Sequence, residues 1–185
     1  MKRFLLLCSL FCAIAAQAQD ACKLSASKSK EVPAADISDL TCIAKNSGTK
    51  NTLFFTFGVW CEPCRVHLPG AIQLAKEHNM DMYVVLLEKE DDKLVTQAVK
   101  YLKTVDKDLK VLVLKDAVYG DKRRKKNKKF VKDITPPQYE NIDDYSKFIL
   151  LDNSGKVLIV TNWKDYNGNW KDEGDMIKRK ILPLL

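Results

Sequence analysis

The 185-residue sequence predicts an α/β domain, a central mixed β-sheet flanked by helices. Two patterns carry that prediction. Continuous apolar runs of strand length recur at 52–57, 82–87 and 111–114, separated by stretches of helical spacing; such runs are buried on both faces, as in parallel sheets. Near the C-terminus, 148–151 and 157–160 flank Asp152-Asn153-Ser154-Gly155, a hairpin signal that adds antiparallel strands to the sheet.

The chain opens with Lys2 and Arg3, an apolar run from Phe4 to Ala16, and the small-x-small pattern Ala16-Gln17-Ala18. A positive head, a short apolar core and such a site make a secretory signal peptide over residues 1–18, cut after Ala18. The apolar run is shorter than the roughly 20 residues a membrane span needs. Gln19-Asp20-Ala21 before Cys22 does not form a lipid-attachment box. Residues 19–50 read as an N-terminal lead-in and 51–185 as the domain; the chain left after cleavage is long enough for one core and too short for two comfortable ones.

Within the lead-in, residues 19–35 read as flexible, and Asp36 caps a short helix to Ala44, followed by a turn through Asn46-Ser47-Gly48. The strand 52–57 stops at Gly58. Pro63 suits the first turn of the next helix, where a missing N–H costs nothing, and that helix runs through Leu68, Ile72 and Ala75 to about His78. Asp91 or Asp92 caps a helix carrying Leu94, Val95, Ala98, Val99 and Leu102. A closing helix covers Asp172 to Leu182.

The net charge of +7 is local. Eight basic residues crowd into the run 122–132 with no acid among them, and the rest of the chain beyond the signal is close to neutral. A solvated loop or helix start explains the run, anchored by Phe130, Val131 and Ile134; docking to an anionic surface or an acidic partner is the functional alternative. Nucleic acid, the usual partner of such a run, does not fit an exported chain. Trp163, Tyr166 and Trp170 read as aromatics that cover the core or anchor a loop, with stacking on a ligand as the alternative. No glycine-rich phosphate loop and no multi-carboxylate or histidine cluster is present, so neither cofactor nor metal is expected.

Signal cleavage leaves Cys22, Cys42, Cys61 and Cys64. Four cysteines allow three pairings in an oxidising compartment. Proximity favours Cys61 with Cys64, which leaves Cys22 with Cys42 as a tentative structural disulfide; the alternative is that either of these two is free.

The chemistry lies in Trp60-Cys61-Glu62-Pro63-Cys64, placed where a buried strand hands over to a helix. A thiol at a helix N-terminus faces unpaired N–H groups and the positive end of the dipole, so its thiolate is favoured. Cys61 is the expected nucleophile, and Cys64, one turn on, closes the disulfide that releases the substrate. Trp60 shields the pair and Pro63 stiffens the turn. Glu62 opposes the thiolate while the dipole supports it.

On these residues the sequence resembles the thioredoxin-like superfamily, specifically its exported branch related to the TlpA and ResA thiol–disulfide oxidoreductases. The Trp-Cys-x-Pro-Cys core is matched by 60–64, Glu62-Pro63 is frequent in that branch, and Pro69 falls where the family kinks the active-site helix. The resemblance implies a periplasmic protein that exchanges electrons with client protein disulfides, as a reductant supplied by a membrane thiol donor. It also exposes departures. The family's cis-proline would fall at about Ser146, whereas Pro136 and Pro137 lie some ten residues earlier; either an insertion separates Pro136 from its strand or that proline is absent. His67 stands where relatives place a Glu, three residues past Cys64, and is the expected proton carrier for it. Phe55 occupies the place of the buried acid of thioredoxin itself. Two other classes remain: a module that binds copper or haem-related cargo through the same sulfurs, and a surface protein in which the pair is an inert staple.

Overall fold

The structure, a computed structural model, describes residues 21–185, and the leader read over 1–18 lies outside the described residues. Seven strands form one mixed sheet in the order β1-β2-β5-β4-β3-β6-β7. They are β1 (Ser25–Ala26), β2 (Pro33–Ala35), β3 (Asn51–Phe57), β4 (Asp81–Leu86), β5 (Lys110–Leu114), β6 (Phe148–Asp152) and β7 (Val157–Val160). β3 is an interior strand next to the central β4, parallel to β4 and antiparallel to β6. Beyond it β4, β5 and β2 run parallel, and β6 and β7 close the other side as the antiparallel hairpin. The sheet is therefore the mixed α/β sheet, flanked by helices, that the apolar runs and the hairpin signal predict.

Period-two alternation assigns the strand side chains to two cores. Leu53, Phe55 and Phe57 of β3 pack on one face with Val84, Leu86, Val113 and Leu150. Phe54 packs on the other with Tyr83, Val85, Leu112 and Ile149. Helices α2 (Glu62–Glu77) and α3 (Lys93–Val105) cover the first face through Leu68, Ala71, Val95 and Leu102. Helices α1 (Ile37–Asn46) and α5 (Arg123–Ile134) cover the second through Leu40, Ile43, Phe130 and Ile134; a short α4 (Asp116–Tyr119) precedes α5.

The caps follow from the sequence. Asp36 accepts from the Ser38 and Asp39 N–H groups while Asp39 accepts from Asp36 N–H, a complete capping box. Asp92, rather than Asp91, caps α3 by accepting from Leu94 N–H at 2.9 Å. At the hairpin, Gly155 takes the left-handed φ of 81° that the turn requires, and Asp152 accepts from the Ser154 and Lys156 N–H groups.

Two stretches differ from expectation, and the basic run takes the helical of its two readings. Part of 19–35, read as a flexible lead-in, is sheet: Ala34 and Ala35 of β2 pair with Val113 and Leu114, and both are buried. A three-residue strand of small side chains is too short to show a period. The basic run folds as helix α5, because Lys126, Asn127, Phe130, Val131 and Ile134 fall on one buried face. The closing helix is not continuous: an α turn, α6 (Glu173–Met176), passes into a π turn (Ile177–Ile181) and a 3-10 turn (Leu182–Leu184). The i→i+5 turn lets Met176 and Ile181, five residues apart and both fully buried, share the core-facing side.

Candidate functional site

β3 ends at Phe57, and the chain turns through Gly58, with Cys61 N–H donating to Gly58 C=O at 2.9 Å. Trp60 folds back over this glycine: a Cβ at position 58 would lie 2.6 Å from the indole ring. Cys61 is the N-cap of α2, and its sulfur accepts the Cys64 N–H at 3.2 Å. The two cysteines are disulfide-bonded, with Cα atoms 5.2 Å apart. Cys61 borders an open cleft, whereas Cys64 is fully buried behind it. Pro63 lies in the first turn of α2 and Pro69 inside the helix. Glu62 is exposed beside Cys61. Cys22 and Cys42 form the second disulfide, joining the chain before β1 to α1.

Trp60 is held from three directions. Its indole N–H donates to Glu88 Oε1 at 2.7 Å, the Arg123 guanidinium lies 4.0 Å from the ring centroid, and the Tyr145 ring meets its face edge-on with centroids 4.8 Å apart. Glu88, just past the end of β4, is almost wholly buried and also accepts from Leu87 N–H at 3.1 Å. Burial pushes its carboxyl above the ordinary range, partly offset by the Trp60 hydrogen bond and the charge of Arg123.

His67 is placed differently from the expectation. Its ring is buried, and both nitrogens are engaged away from the cysteines. Nε2 contacts the Trp170 carbonyl, which only accepts, so the proton sits on Nε2. Nδ1 is then the acceptor for Ser146 Oγ at 2.8 Å and Tyr166 Oη at 3.1 Å. Tyr166 stacks on the ring with centroids 4.7 Å apart. Burial lowers the imidazole's pKa below its ordinary value, offset in part by the Trp170 carbonyl and the charge of Glu173. A neutral ring with both nitrogens occupied is a bracket between α2, the loop before β6 and the C-terminal segment; the geometry does not give it the role of proton carrier for Cys64.

The loop before β6 completes the site. Among the described residues no peptide bond is cis. Pro136 belongs to the turn after α5, accepting from Tyr139 N–H, and does not reach the disulfide cleft. Ser146, where the sequence resemblance leads one to expect a proline, has a left-handed φ of 63°. Asp144 accepts from the Trp163 N–H at 2.7 Å and pairs with the buried Lys147 ammonium. Burial raises the Asp144 carboxyl and lowers the Lys147 ammonium, against their mutual attraction.

Together these elements enclose a cleft of about 620 Å³ over Cys61, walled by Trp60, Tyr145, Trp163, Tyr166 and Trp170. Trp163 is 59% exposed, while Tyr166 is buried, so only the latter fits the core-covering reading. The sequence reading missed Glu88, Tyr145 and Arg123. Glu88 left one signal: a carboxylate abutting a continuous apolar strand must be buried with a partner or pointed to solvent. Phe55, in the place of an acid, is core, packed edge-on against Phe148 at 5.1 Å. No group of three His, Cys, Asp or Glu side chains arranged to hold a metal occurs among the described residues, and no helix there is long and apolar enough to cross a membrane.

Chemically, the arrangement presents one sulfur of a disulfide to a ligand-sized apolar cleft, at the helix terminus where a thiolate is favoured. No protein-family model matches the chain, and no curated protein matches it. A solved structure, the crystal structure of a thio-disulfide isomerase from Thermus thermophilus, is similar over 63% of this chain and 71% of its own, at 17% identity and a TM-score of 0.42.

Proposed function

We propose that this chain is an exported thiol–disulfide oxidoreductase that acts on protein disulfides in the periplasm, more as a reductant than an oxidant. The observation that carries the reading is the asymmetry of the pair: Cys61 caps α2 and borders the cleft, while Cys64 lies fully buried one turn deeper.

In the reduced protein, the Cys61 thiolate is favoured by the Cys64 N–H and the helix dipole. It attacks one sulfur of a client disulfide held against the aromatic walls, forming a Cys61–client mixed disulfide and expelling the other client sulfur as a thiolate, which takes a proton from water. Cys64 then attacks the Cys61 sulfur. The Cys61–Cys64 disulfide forms, the client's second thiolate leaves, and the Cys64 proton passes to it. Two electrons have moved from protein to client, with one proton from Cys64 and one from water, the latter matching the proton Cys61 released on ionising. A membrane thiol donor is the proposed source for the return step.

Reduction of insulin disulfides by dithiothreitol, with and without the protein, tests the assignment. Cys61→Ser should lose all catalysis, and Cys64→Ser should accumulate mixed disulfides with client proteins. Equal turnover by Cys61→Ser and the parent chain would overturn it. The reduction potential of the pair, measured against glutathione, tests the direction: a value nearer −270 than about −120 mV supports a reductant.

A further inference from the structure

Helix α5 begins against its own electrostatics. Its first turn holds no acid, Lys122 at the N-cap makes no side-chain cap, and Arg123, Arg124 and Lys125 follow. Positive charge at a helix N-terminus opposes the macrodipole. Among the ion pairs of the described residues, none involves any residue of 122–132 except Lys126.

The opposite face holds the helix in place. Lys126 is fully buried, donating to the Glu88 carbonyl, the Leu114 carbonyl and Asp116 Oδ1, each at 2.7 Å. Phe130, Val131 and Ile134 continue that face into the core. Arg124, Lys125, Lys128 and Lys132 are left exposed, and Arg123 turns aside to cover Trp60 at 4.0 Å. Arg123 thus joins the N-terminal end of the helix that carries the cationic stripe to Trp60, a wall of the cleft over Cys61.

We infer that α5 and Trp60 form a docking surface for acidic polypeptides, which are the substrate class of the exchange proposed above; what happens at Cys61 rests on that reading. Charge complementarity selects the partner. The contact between Arg123 and Trp60 favours a polypeptide over a lipid surface: it joins the N-terminal end of α5 to a wall of the cleft, and an extended chain can run from the cationic residues past Trp60 to Cys61, where a headgroup layer does not enter. Glu62, exposed beside Cys61, repels acids next to the attacked sulfur, so the client's acidic residues sit several positions from its cysteine.

The test compares two disulfide-linked peptides, identical apart from four glutamates or four lysines displaced from the cysteine, with uncharged 4,4′-dithiodipyridine as the reference. The parent protein should reduce the acidic peptide faster by about tenfold at low salt, with the preference fading as ionic strength rises. The triple variant Arg124→Glu, Lys125→Glu, Lys128→Glu should abolish or invert the preference and leave dithiodipyridine reduction unchanged. These side chains are solvent-exposed, and the new acids at 124 and 125 suit the helix N-terminus, so the variant keeps its fold. Equal rates for both peptides, or a preference that survives charge reversal, would overturn the inference. So would binding to phosphatidylglycerol vesicles that the triple variant loses while its peptide preference persists. Calorimetric binding of a cysteine-free glutamate-rich peptide reads the docking separately. If dithiodipyridine is not reduced at all, the exchange reading fails, and this binding still supports or overturns the surface.

Discussion

The Trp60 indole N–H and the Glu88 carboxylate meet at 2.7 Å, tying the residue before the cleft-facing sulfur to the end of β4. Glu88 also accepts the Leu87 N–H, so its loss strands two donors at once. Glu88→Ala should destabilise the protein by about 2–3 kcal/mol and loosen Trp60, while Glu88→Gln, which keeps one acceptor, should cost about 1 kcal/mol. The sign of the pH effect follows from burial raising the carboxyl. At low pH it is protonated in both states; as pH rises past the unfolded value toward the raised folded one, only the unfolded chain ionises freely and stability falls. Between about pH 4 and pH 8 the urea denaturation midpoint of the parent chain, relative to that of Glu88→Gln, should therefore fall as pH rises.

His67 tilts the same profile the other way. Its folded imidazole is held below its ordinary value by burial, so above about pH 6.5 it is neutral in both states and contributes fully. As pH falls below that point the unfolded chain gains a proton that the buried ring resists, and stability drops. His67→Ala should flatten this acid limb and cost about 3 kcal/mol from the lost hydrogen bonds and the Tyr166 stack. The two variants should therefore change the slope of stability against pH with opposite signs. Nitrogen chemical shifts should place the neutral ring's proton on Nε2.

The Cys22–Cys42 bridge belongs to the other face of the sheet. Cys22 packs with the core under α1, while Cys61 and Cys64 belong to the core under α2. With a sequence separation of 20, its removal by Cys22→Ser with Cys42→Ser should cost about 3 kcal/mol. Dithiodipyridine reduction by the double variant should be unchanged, and calorimetric or urea unfolding supplies the stability difference.

The sequence was most legible where one local signal sufficed. Asp36, Asp92 and Pro63 mark helix starts because capping is decided within a few residues. The run 52–57 announces a doubly buried strand because every position is apolar or β-prone, and β3 lies inside the sheet, between β4 and β6, with no exposed residue. What was hidden depends on pairs distant in the chain. Glu88 reaches Trp60 across 28 positions, and Ser146 reaches His67 across 79. Lys126 was one cation in a run of eight until the fold placed its ammonium beside two strand-end carbonyls and Asp116. Spacing on α2 correctly puts His67 near Cys64 along the helix, but spacing alone does not reveal that the C-terminal segment supplies a carbonyl and a tyrosine to occupy the ring.

Ser146 gives the sharpest backbone prediction. Its φ of 63° is left-handed, a conformation costing a non-glycine residue about 1–2 kcal/mol. Its hydroxyl returns about 1 kcal/mol through His67. Ser146→Gly removes both terms and should leave stability within about 1 kcal/mol of the parent, whereas Ser146→Ala keeps the strain, loses the bond and should cost about 1–2 kcal/mol. Proline would lock φ near −65°. The flanks cannot follow such a rotation: Lys147 N–H donates to Thr56 Oγ1 at 2.8 Å, and Asn127 donates to the Asp143 and Asp144 carbonyls. Ser146→Pro should therefore cost 3 kcal/mol or more by urea denaturation, about the penalty of a misplaced proline. It should also diminish the near-ultraviolet circular dichroism of the aromatic cleft. A proline variant as stable as the parent would show that the loop before β6 is free to turn, and that His67 does not fix it.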